Sequence, residues 1–593
     1  MPLKRAFQWI TRDTLKGTSR RIRQFLGYWT FRFLVFCLRK RKAFSEAPSL
    51  SIPGEPPFFS LLLVAYRTPP AWLHKAVNSV RGQLFPNWEL CIGLCEIDPA
   101  LERELRAIAD IDTRIRLFDL KENLGISLNT NAIAACSKGD FLCVLDHDDY
   151  LEPHALREIF PLASSGEFDL IYTDEDIVTA NGMLLPPNIK PDWAPETHLS
   201  YGYICHLCCF RRSLFDQAGG FHSEFDNAQD YDLFLRMSEK TERIAHIPKV
   251  LYHWRRHALS STSGAEAKPT AWDAGKRAVE SHLQRIKENA RVERGSLVGT
   301  LRVRHPVQNS TRVDIIMASL NEKNLGRCLN SILRLTRYPN YRICIVGAKN
   351  DLEASPHPIP GSDHILFLEY SGPFNLSSMN NFGAKTCDGD LLLFLSEDVE
   401  ITYEDWLEGL LEQMERQKIG AVGPLLLSPE GLIRQAGLNV DEHEVSENFH
   451  AGSRPEGGGY NFISQVVHNV TAVSSLCLCT RRKCFLEVGG FDEQVPDAFN
   501  DIDYCLRLIE RGYRIVYTPY TRLVLVENIS THSEWRKSKQ TMLEKWNNGE
   551  LHDRYFNAPL FKPGSNLYRL AMNYLSPLAG NATPPKREQR RGN

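Results

Sequence analysis

Phe141-Leu-Cys-Val-Leu-Asp146-His147-Asp148-Asp149 is an apolar run that ends in carboxylates, and the chain repeats it as Leu391-Leu-Leu-Phe-Leu-Ser396-Glu397-Asp398-Val399-Glu400. Each run is followed by a matching series. The first copy continues through Arg211-Arg212-Ser213-Leu214-Phe215 and Gly219-Gly220-Phe221 to Gln229-Asp230-Tyr231-Asp232-Leu233. The second continues through Arg481-Arg482-Lys483-Cys484-Phe485 and Gly489-Gly490-Phe491 to Asn500-Asp501-Ile502-Asp503-Tyr504. Positions 148 and 398 differ by 250, 219 and 489 by 270, and 230 and 501 by 271. The second copy therefore carries an insert of about twenty residues, placed around the Gly-rich Arg454 to Gly459. Solenoid units run ~20–50 residues, so a repeat this long means two whole domains.

Upstream of the first carboxylates, Phe59 to Tyr66 reads as a buried strand, followed by the Pro69-Pro70 break and a helix around Trp72 to Arg81. Trp88 to Gly93, Arg114 to Asp119 and Phe141 to Leu145 read as further strands, with helices near Ala100 to Asp110 and Asn129 to Ser137. From Asp314 the order recurs, with strands at Ile315, Tyr341 and Leu391 and helices over Leu325 to Leu335 and Asn380 to Thr386. Apolar strands alternating with helices predict an α/β fold with a parallel sheet covered on both faces.

The 593 residues are 43% apolar and 24% charged, an ordinary globular composition that excludes disordered and fibrous classes. A formal charge of −2 argues against a generally basic nucleic-acid binder. Fifteen Cys, several inside apolar strands (Cys91, Cys143, Cys344, Cys477), indicate reduced, buried thiols in a reducing cytosol. The first 42 residues differ, with twelve Lys or Arg against the single acid Asp13, interleaved with Phe25, Tyr28, Trp29, Phe31, Phe33 and Phe36. Phe25 to Leu38 falls short of the ~20 residues a membrane span needs, and no small-residue cleavage site follows it. Basic and aromatic residues together suit an amphipathic helix lying on an anionic membrane surface; a helix packed on the first domain is the alternative. The divisions expected are a basic segment 1–47, a Pro-rich linker 48–57, domains 58–262 and 312–560 joined by a helical connector 263–311, and a tail 561–593, partly disordered.

In open α/β sheets ligands bind beyond the carboxyl ends of the strands. Asp146, Asp148 and Asp149 fall at such an end, and clustered carboxylates repel unless a cation neutralises them. Mg²⁺ or Mn²⁺ with substrate phosphates would do so. An acidic turn capping a helix that begins near Pro153 is the structural alternative. The Cys205, His206, Cys208 and Cys209 group lacks the paired second half of a zinc site and reads as packing.

The flanking residues resemble family 2 glycosyltransferases of the GT-A fold, particularly bacterial tandem-domain members that build cell-surface polysaccharide. In the first copy the resemblance rests on Glu122-Asn123-Leu-Gly125-Ile-Ser127, Leu145-Asp-His-Asp-Asp149, Tyr172-Thr-Asp-Glu-Asp176, Lys190-Pro-Asp-Trp193, Tyr203-Ile-Cys-His206, Gln229-Asp-Tyr-Asp-Leu233 and Leu251-Tyr-His-Trp-Arg255. In the second it rests on Pro373-Phe-Asn375, Asn380-Asn381, Ala421-Val-Gly423, Gln435-Ala-Gly437, Phe499-Asn-Asp-Ile-Asp503 and Gly512 through Pro519. It implies inverting transfer of a hexose or deoxyhexose, such as rhamnose, from a nucleotide-sugar to a glycan or lipid-linked acceptor, as in O-antigen or capsule synthesis. The expected place is the cytoplasmic face of the cell membrane. Asp146 and Asp148 would hold the metal, with His253 as third ligand or as a structural residue. Asn123 and Gly125 would contact the donor. Asp230 matches the general base and Asp501 its counterpart, while Asp232 would support.

Both copies depart from that pattern. Where the second strand should end in nucleotide-binding acids, the first copy has Gly93-Leu94-Cys95-Glu96 and the second Gly347-Ala348-Lys349-Asn350. Glu96 or Asp98 is available in the first, and Lys349 to meet a phosphate in the second. The second copy also replaces the leading metal acid with Ser396, leaving Glu397, Asp398 and Glu400, and carries Leu523 to Val526 where the family places a His. The first domain is expected to be active and the second to be a weakened transferase or an acceptor-binding domain. A noncatalytic glycan-binding protein and a glycoside hydrolase, which also uses paired carboxylates, remain the other classes.

Overall fold

The computed structural model describes residues 59–257, 269–318, 322–347, 364–440, 451–457, 460–526, 535–546 and 553–556. The basic segment 1–47, the linker 48–57, the tail 561–593 and Lys349 lie outside the described residues.

The first domain carries nine strands: β1 (Phe59–Tyr66), β2 (Trp88–Cys95), β3 (Ile115–Asp119), β4 (Phe141–Val144), β5 (Tyr150–Leu151), β6 (Leu170–Thr179), β7 (Leu184–Asn188), β8 (Cys208–Arg211) and β9 (Ile244–Arg256). They form one sheet in the order β3-β2-β1-β4-β8-β6-β9-β5, with β7 on β6. The first four are parallel, as the alternation with helices α1 (Pro70–Arg81), α2 (Pro99–Ile111) and α3 (Ile126–Cys136) predicts. The wholly parallel sheet does not hold, because β8 runs antiparallel to both β4 and β6. A four-residue apolar strand reads the same in either direction, and only the path of the chain between strands decides its sense.

Side chains alternate across the sheet, so Leu61, Leu63 and Ala65 of β1 enter one core and Leu62 the other. Helices α4 (Ala155–Ser164), α5 (Pro195–Ser200), α6 (Arg212–Ala218) and α7 (Gln229–Ser238) complete the domain. The expectation of reduced thiols throughout fails at one place: Cys143 and Cys209 stand opposite each other on β4 and β8, Cα atoms 4.4 Å apart, and form a disulfide. The other twelve described cysteines are free. Antiparallel pairing brings Cβ atoms within disulfide reach, which the sequence alone could not disclose.

The connector is helical only in its first half, α8 (Pro269–Arg285). Its second half is a hairpin, β10 (Arg291–Arg294) with β11 (Leu301–Arg304). The second domain repeats the first as β12 (Val313–Ala318), β13 (Tyr341–Gly347), β14 (Ile365–Glu369), β15 (Leu391–Leu395), β16 (Val399–Ile401), β17 (Ile419–Leu427), β18 (Ile433–Ala436), β19 (His468–Val470), β20 (Cys477–Arg481) and β21 (Arg514–Leu525). The order β14-β13-β12-β15-β20-β17-β21-β16 matches the first sheet, with β19 as an added strand on β21. Some of the insert therefore builds β19, and β19 receives the first domain. The Asn469 carboxamide oxygen accepts the Glu196 and Thr197 amides at 3.1 and 3.3 Å, and its amide donates to the Glu196 carboxylate at 2.6 Å. Glu196 is buried between Arg416 and Arg514, at 2.8 and 2.7 Å. Burial alone would raise its carboxyl, but the two guanidiniums outweigh it and hold the group at about 2.

Candidate active site

The chain leaves β4 through Leu145, whose amide donates to the Leu62 carbonyl, and turns so that the Asp149 amide meets the Asp146 carbonyl at 3.2 Å. This turn separates the three carboxylates by role. Asp149 is fully buried and accepts from the Tyr252 hydroxyl at 2.7 Å and the Arg255 amide at 2.6 Å. It is a structural anchor for the turn. Asp148 meets the His257 imidazole at 2.7 Å. Asp146 keeps 34% of its side chain exposed, and among the described residues its ion-pair partner is His206, at 3.6 Å.

Oxygens of Asp146 and Asp149 and a ring nitrogen of His206 lie within 4.8 Å of one another. Burial raises the Asp146 carboxyl above its ordinary range; His206 opposes this, and Asp148 and Asp230 add repulsion. Burial pushes Asp149 well up, reinforced by Asp148 and Asp146. Concentrated negative charge facing an imidazole is what a hard divalent cation relieves, so the residues present fit one.

His253, expected as third ligand or as a structural residue, is held by two other carboxylates. Both of its ring nitrogens are taken, by Asp176 at 2.6 Å and Glu152 at 2.9 Å, and its ring stacks on Tyr150. Burial lowers its basicity, but the two carboxylates more than compensate and raise it to about 9. Besides His147 in the turn itself, 3.8 Å from Asp148, the imidazoles that reach the carboxylates from elsewhere in the chain are His206 and His257, neither of which the sequence reading selects. His206 carried a signal: it lies just ahead of a strand paired with β4.

Asp230 opens α7, half-buried, its carboxylate accepting the Tyr231 amide at 2.9 Å. Asp232 is fully buried and receives Arg236 through Nε at 2.9 Å and Nη2 at 2.6 Å, while Arg236 also reaches the Ala218 carbonyl. Asn123 shapes the loop before α3, its carboxamide oxygen accepting the Gly125 backbone amide at 3.1 Å and the Asn129 side-chain amide at 3.0 Å. Gly125 has φ 91°, and a Cβ there would lie 2.7 Å from an Asp226 carboxylate oxygen, so only glycine fits. At the end of β2, Glu96 pairs with Arg67 at 2.6 Å on the exposed rim. Asp98 caps α2 through the Ala100 amide at 2.7 Å, which makes it structural.

The second domain preserves the frame with different residues at the turn. Asp398 accepts from the Asn324 carboxamide at 2.8 Å. Glu400 lies on β16 opposite Val524, whereas Tyr150 on β5 lies opposite His253. Asp501 is buried and closed in by the Ser475 and Ile502 amides, each at 2.9 Å. Burial raises its carboxyl, against those hydrogen bonds.

Among the described residues no helix is long and apolar enough to cross a membrane. The profile of Glycosyl transferase family 2 matches residues 60–218 and 314–432, one stretch in each sheet domain. An uncharacterized protein, y4gI, of Sinorhizobium fredii is 33% identical over 85% of this chain and 58% of its own length. The O-antigen biosynthesis protein RfbC of Myxococcus xanthus is 35% identical over 81% of this chain and 38% of its own. A chondroitin synthase of Pasteurella multocida is 28% identical over 33% of this chain and 20% of its own. The chain thus spans little more than half of the first of these relatives and less of the others. Both matches fall on the repeated sheets and their strand-end carboxylates, so the chain carries, in tandem, two α/β sheet domains each with a stretch that matches glycosyl transferase family 2.

Proposed function

We propose that the first domain is an inverting glycosyltransferase that moves a sugar from a nucleotide-sugar to a growing cell-surface glycan, of the O-antigen or capsule kind. The observation that carries this reading is the partly exposed Asp146 facing His206 at a strand end, 3.6 Å away, beside the buried Asp149. Asp146 and His206, with Asp149 beside them and Asp148 on the same turn, are the residues that would hold Mg²⁺ or Mn²⁺, which when bound would supply Lewis-acid stabilisation of the departing diphosphate. Asn123 and Gly125 shape the donor loop, and Glu96 stands at the rim where a nucleotide would enter. Asp230 accepts the proton of the acceptor hydroxyl as that oxygen attacks the anomeric carbon. Asp232, fixed by Arg236, holds the helix start that presents Asp230.

The enclosed Asp501 and the absence of an acid at Ser396 favour an acceptor-holding or weakened transferase role for the second domain, with Asp398, Glu400 and Lys349 as residual donor contacts. The sugar is a hexose or deoxyhexose, rhamnose among the candidates. The basic, aromatic residues 1–42 suit the anionic inner face of the cell membrane, and their removal should release the chain from anionic vesicles. The decisive experiment screens nucleotide-sugars with Mn²⁺ and a lipid-linked glycan. Metal-dependent transfer with inversion supports the reading; release of free sugar from the glycan without a donor would make the chain a hydrolase instead.

A further inference from the structure

Beneath the carboxylate turn the first domain buries a lysine. The Lys190 ammonium is fully buried with the Glu175 carboxylate, 3.1 Å away, and donates to the carbonyls of Thr173 at 2.7 Å, Ile204 at 2.5 Å and His206. Glu175 in turn accepts the His206 amide at 3.0 Å with the same oxygen that meets Lys190. One ion pair therefore grips the His206 residue through both its N–H and its C=O. The His206 ring, stacked on Tyr252 with centroids 4.7 Å apart, faces Asp146. A buried charge pair is a poor route to stability, because desolvation offsets most of the attraction. Its presence under a site therefore asks for another reason.

The second domain supplies that reason by omission. Strand register makes the two copies comparable residue by residue. Cys143 pairs with Cys209 and Leu393 with Cys479, which sets Ser396 in the place of Asp146 and Leu476 in that of His206. Ile171 pairs with Cys209 and Val422 with Cys479, which sets Leu426 in the place of Glu175. Glu175 pairs with Asn188 and Leu426 with Gln435, which sets Gly437 in the place of Lys190. All four members of the constellation are missing together from the copy whose leading acid is gone. A small cavity remains there, lined by Leu426, Gln435, Gly437, Ser474 and Cys477, and the Gln435 carboxamide oxygen is buried in it without a hydrogen-bond partner.

Resting on the transferase reading of the first domain, we propose that Glu175 and Lys190 form a positioning pair that clamps the His206 backbone and so aims its imidazole at Asp146. The pair touches no substrate. It sets the geometry in which Asp146 and His206 receive a divalent cation.

The test uses the full chain. Lys190→Met with Glu175→Leu removes both charges at once and leaves neither ion alone in the interior, so the chain is expected to fold, as its thermal transition would report. Mn²⁺ affinity is read from the electron paramagnetic resonance of free Mn²⁺, and the His206 ring from histidine-selective NMR assigned with His206→Asn. The double variant should weaken Mn²⁺ binding roughly tenfold or more and shift the His206 ring signals, as loss of a group that orients a metal ligand does. Adding His206→Asn to it should weaken binding no further than His206→Asn alone, since the pair acts through that residue. Wild-type affinity and unshifted His206 signals in the double variant would overturn the proposal, as would losses that simply add. Should the double variant fail to fold, Glu175→Gln removes the charge while keeping the shape, and unshifted His206 signals there would count equally against the clamp. A wild-type chain that binds no Mn²⁺ would sink the metal-dependent reading instead, and the His206 signals would still decide the clamp.

Discussion

The first domain buries charge beneath its strand ends where the second buries leucine. Along β6, Asp174 meets His246 at 3.0 Å, Glu175 meets Lys190 and Asp176 meets His253. The matching stretch of β17 is Leu425-Leu426-Leu427. Other features are common to both copies. Asn131 brackets Phe221 through its N–H and C=O, at 2.9 and 2.8 Å, and Asn381 does the same for Phe491, at 2.9 Å each. Asp232 with Arg236 is matched by Asp503 with Arg507. These shared Asn and Asp–Arg contacts are framework, whereas the charged pairs along β6 are kept by the first copy alone, under its candidate site.

The largest effect expected separates the two acids that open equivalent helices. Asp230→Asn keeps size but removes the base, and transfer should fall by about 10²–10⁴-fold with donor binding intact. Asp501→Asn should have a much smaller effect, because the enclosed Asp501 carboxyl is not free to accept a proton from an acceptor. Linkage analysis of product on a defined acceptor decides it. Loss of all transfer in Asp501→Asn with a fully active Asp230→Asn would reverse the assignment of the two domains.

A second expectation concerns the seam. Glu196→Ala leaves the part-buried Arg514 without its carboxylate and Arg416, among the described residues, with Glu288 at 2.8 Å. Breaking one side of a buried pair costs about 3–5 kcal/mol, so the two domains should unfold in separate calorimetric steps in the variant. Acid should act on the wild type in the same sense. The Glu196 carboxyl is lowered from 4.5 to about 2, so its contribution is complete above pH 4.5 and is lost as pH falls towards 2. A single transition at unchanged temperature in Glu196→Ala would leave the seam without energetic weight.

Much of this frame was legible in the sequence. Strands β1, β2, β4, β12 and β15 are nearly continuous apolar runs because parallel strands covered on both faces have no polar side, and β3 and β13 are read with them, whereas the half-buried β14 is not. The repeat of 250 to 271 residues marks the places of Asp148 and Asp230 and their counterparts Asp398 and Asp501, while the roles expected of Asp146, Asp148 and Asp230 come from the resemblance to family 2 glycosyltransferases. The sense of β8 was hidden, and with it the Cys143–Cys209 disulfide, because both depend on which strands become neighbours. His253 was selected for standing in a recognisable motif, yet ligation depends on where the ring points, and Asp176 and Glu152 turn it away. His206 and Lys190 were both quoted in motifs, but their connection runs through backbone groups, which no spacing of side chains encodes.

His253 gives the third expectation, somewhat smaller. Its folded value of about 9 lies above the ordinary 6.5, so its contribution is complete below pH 6.5 and is lost as pH rises through 9. The shift corresponds to roughly 3 kcal/mol at most. The second domain has Val524 at this place and should show no such loss. Denaturant midpoints at pH 6 to 9 should fall for the wild type more than for His253→Gln. Equal slopes in the two chains would mean that His253 is not charged in the folded state.

The smallest effect is also the sharpest test of what the carboxylates do. Asp148→Ala removes one charged oxygen from the turn, so Mn²⁺-dependent donor binding should weaken by roughly 10–100-fold, or about 1.4–2.8 kcal/mol. Asp398→Ala, at the matching position of the second copy, should change it by less than about threefold, because Asn324 rather than an imidazole is its partner and Ser396 replaces the acid two residues before it. The measurement is a calorimetric donor titration with and without Mn²⁺ for each variant. If Asp148→Ala leaves the metal dependence intact, the turn is structural in both domains, and the difference between them would lie in Asp230 and Asp501 alone. If Asp398→Ala abolishes it, the metal binds in the copy without the leading acid, and the contrast between the domains is inverted.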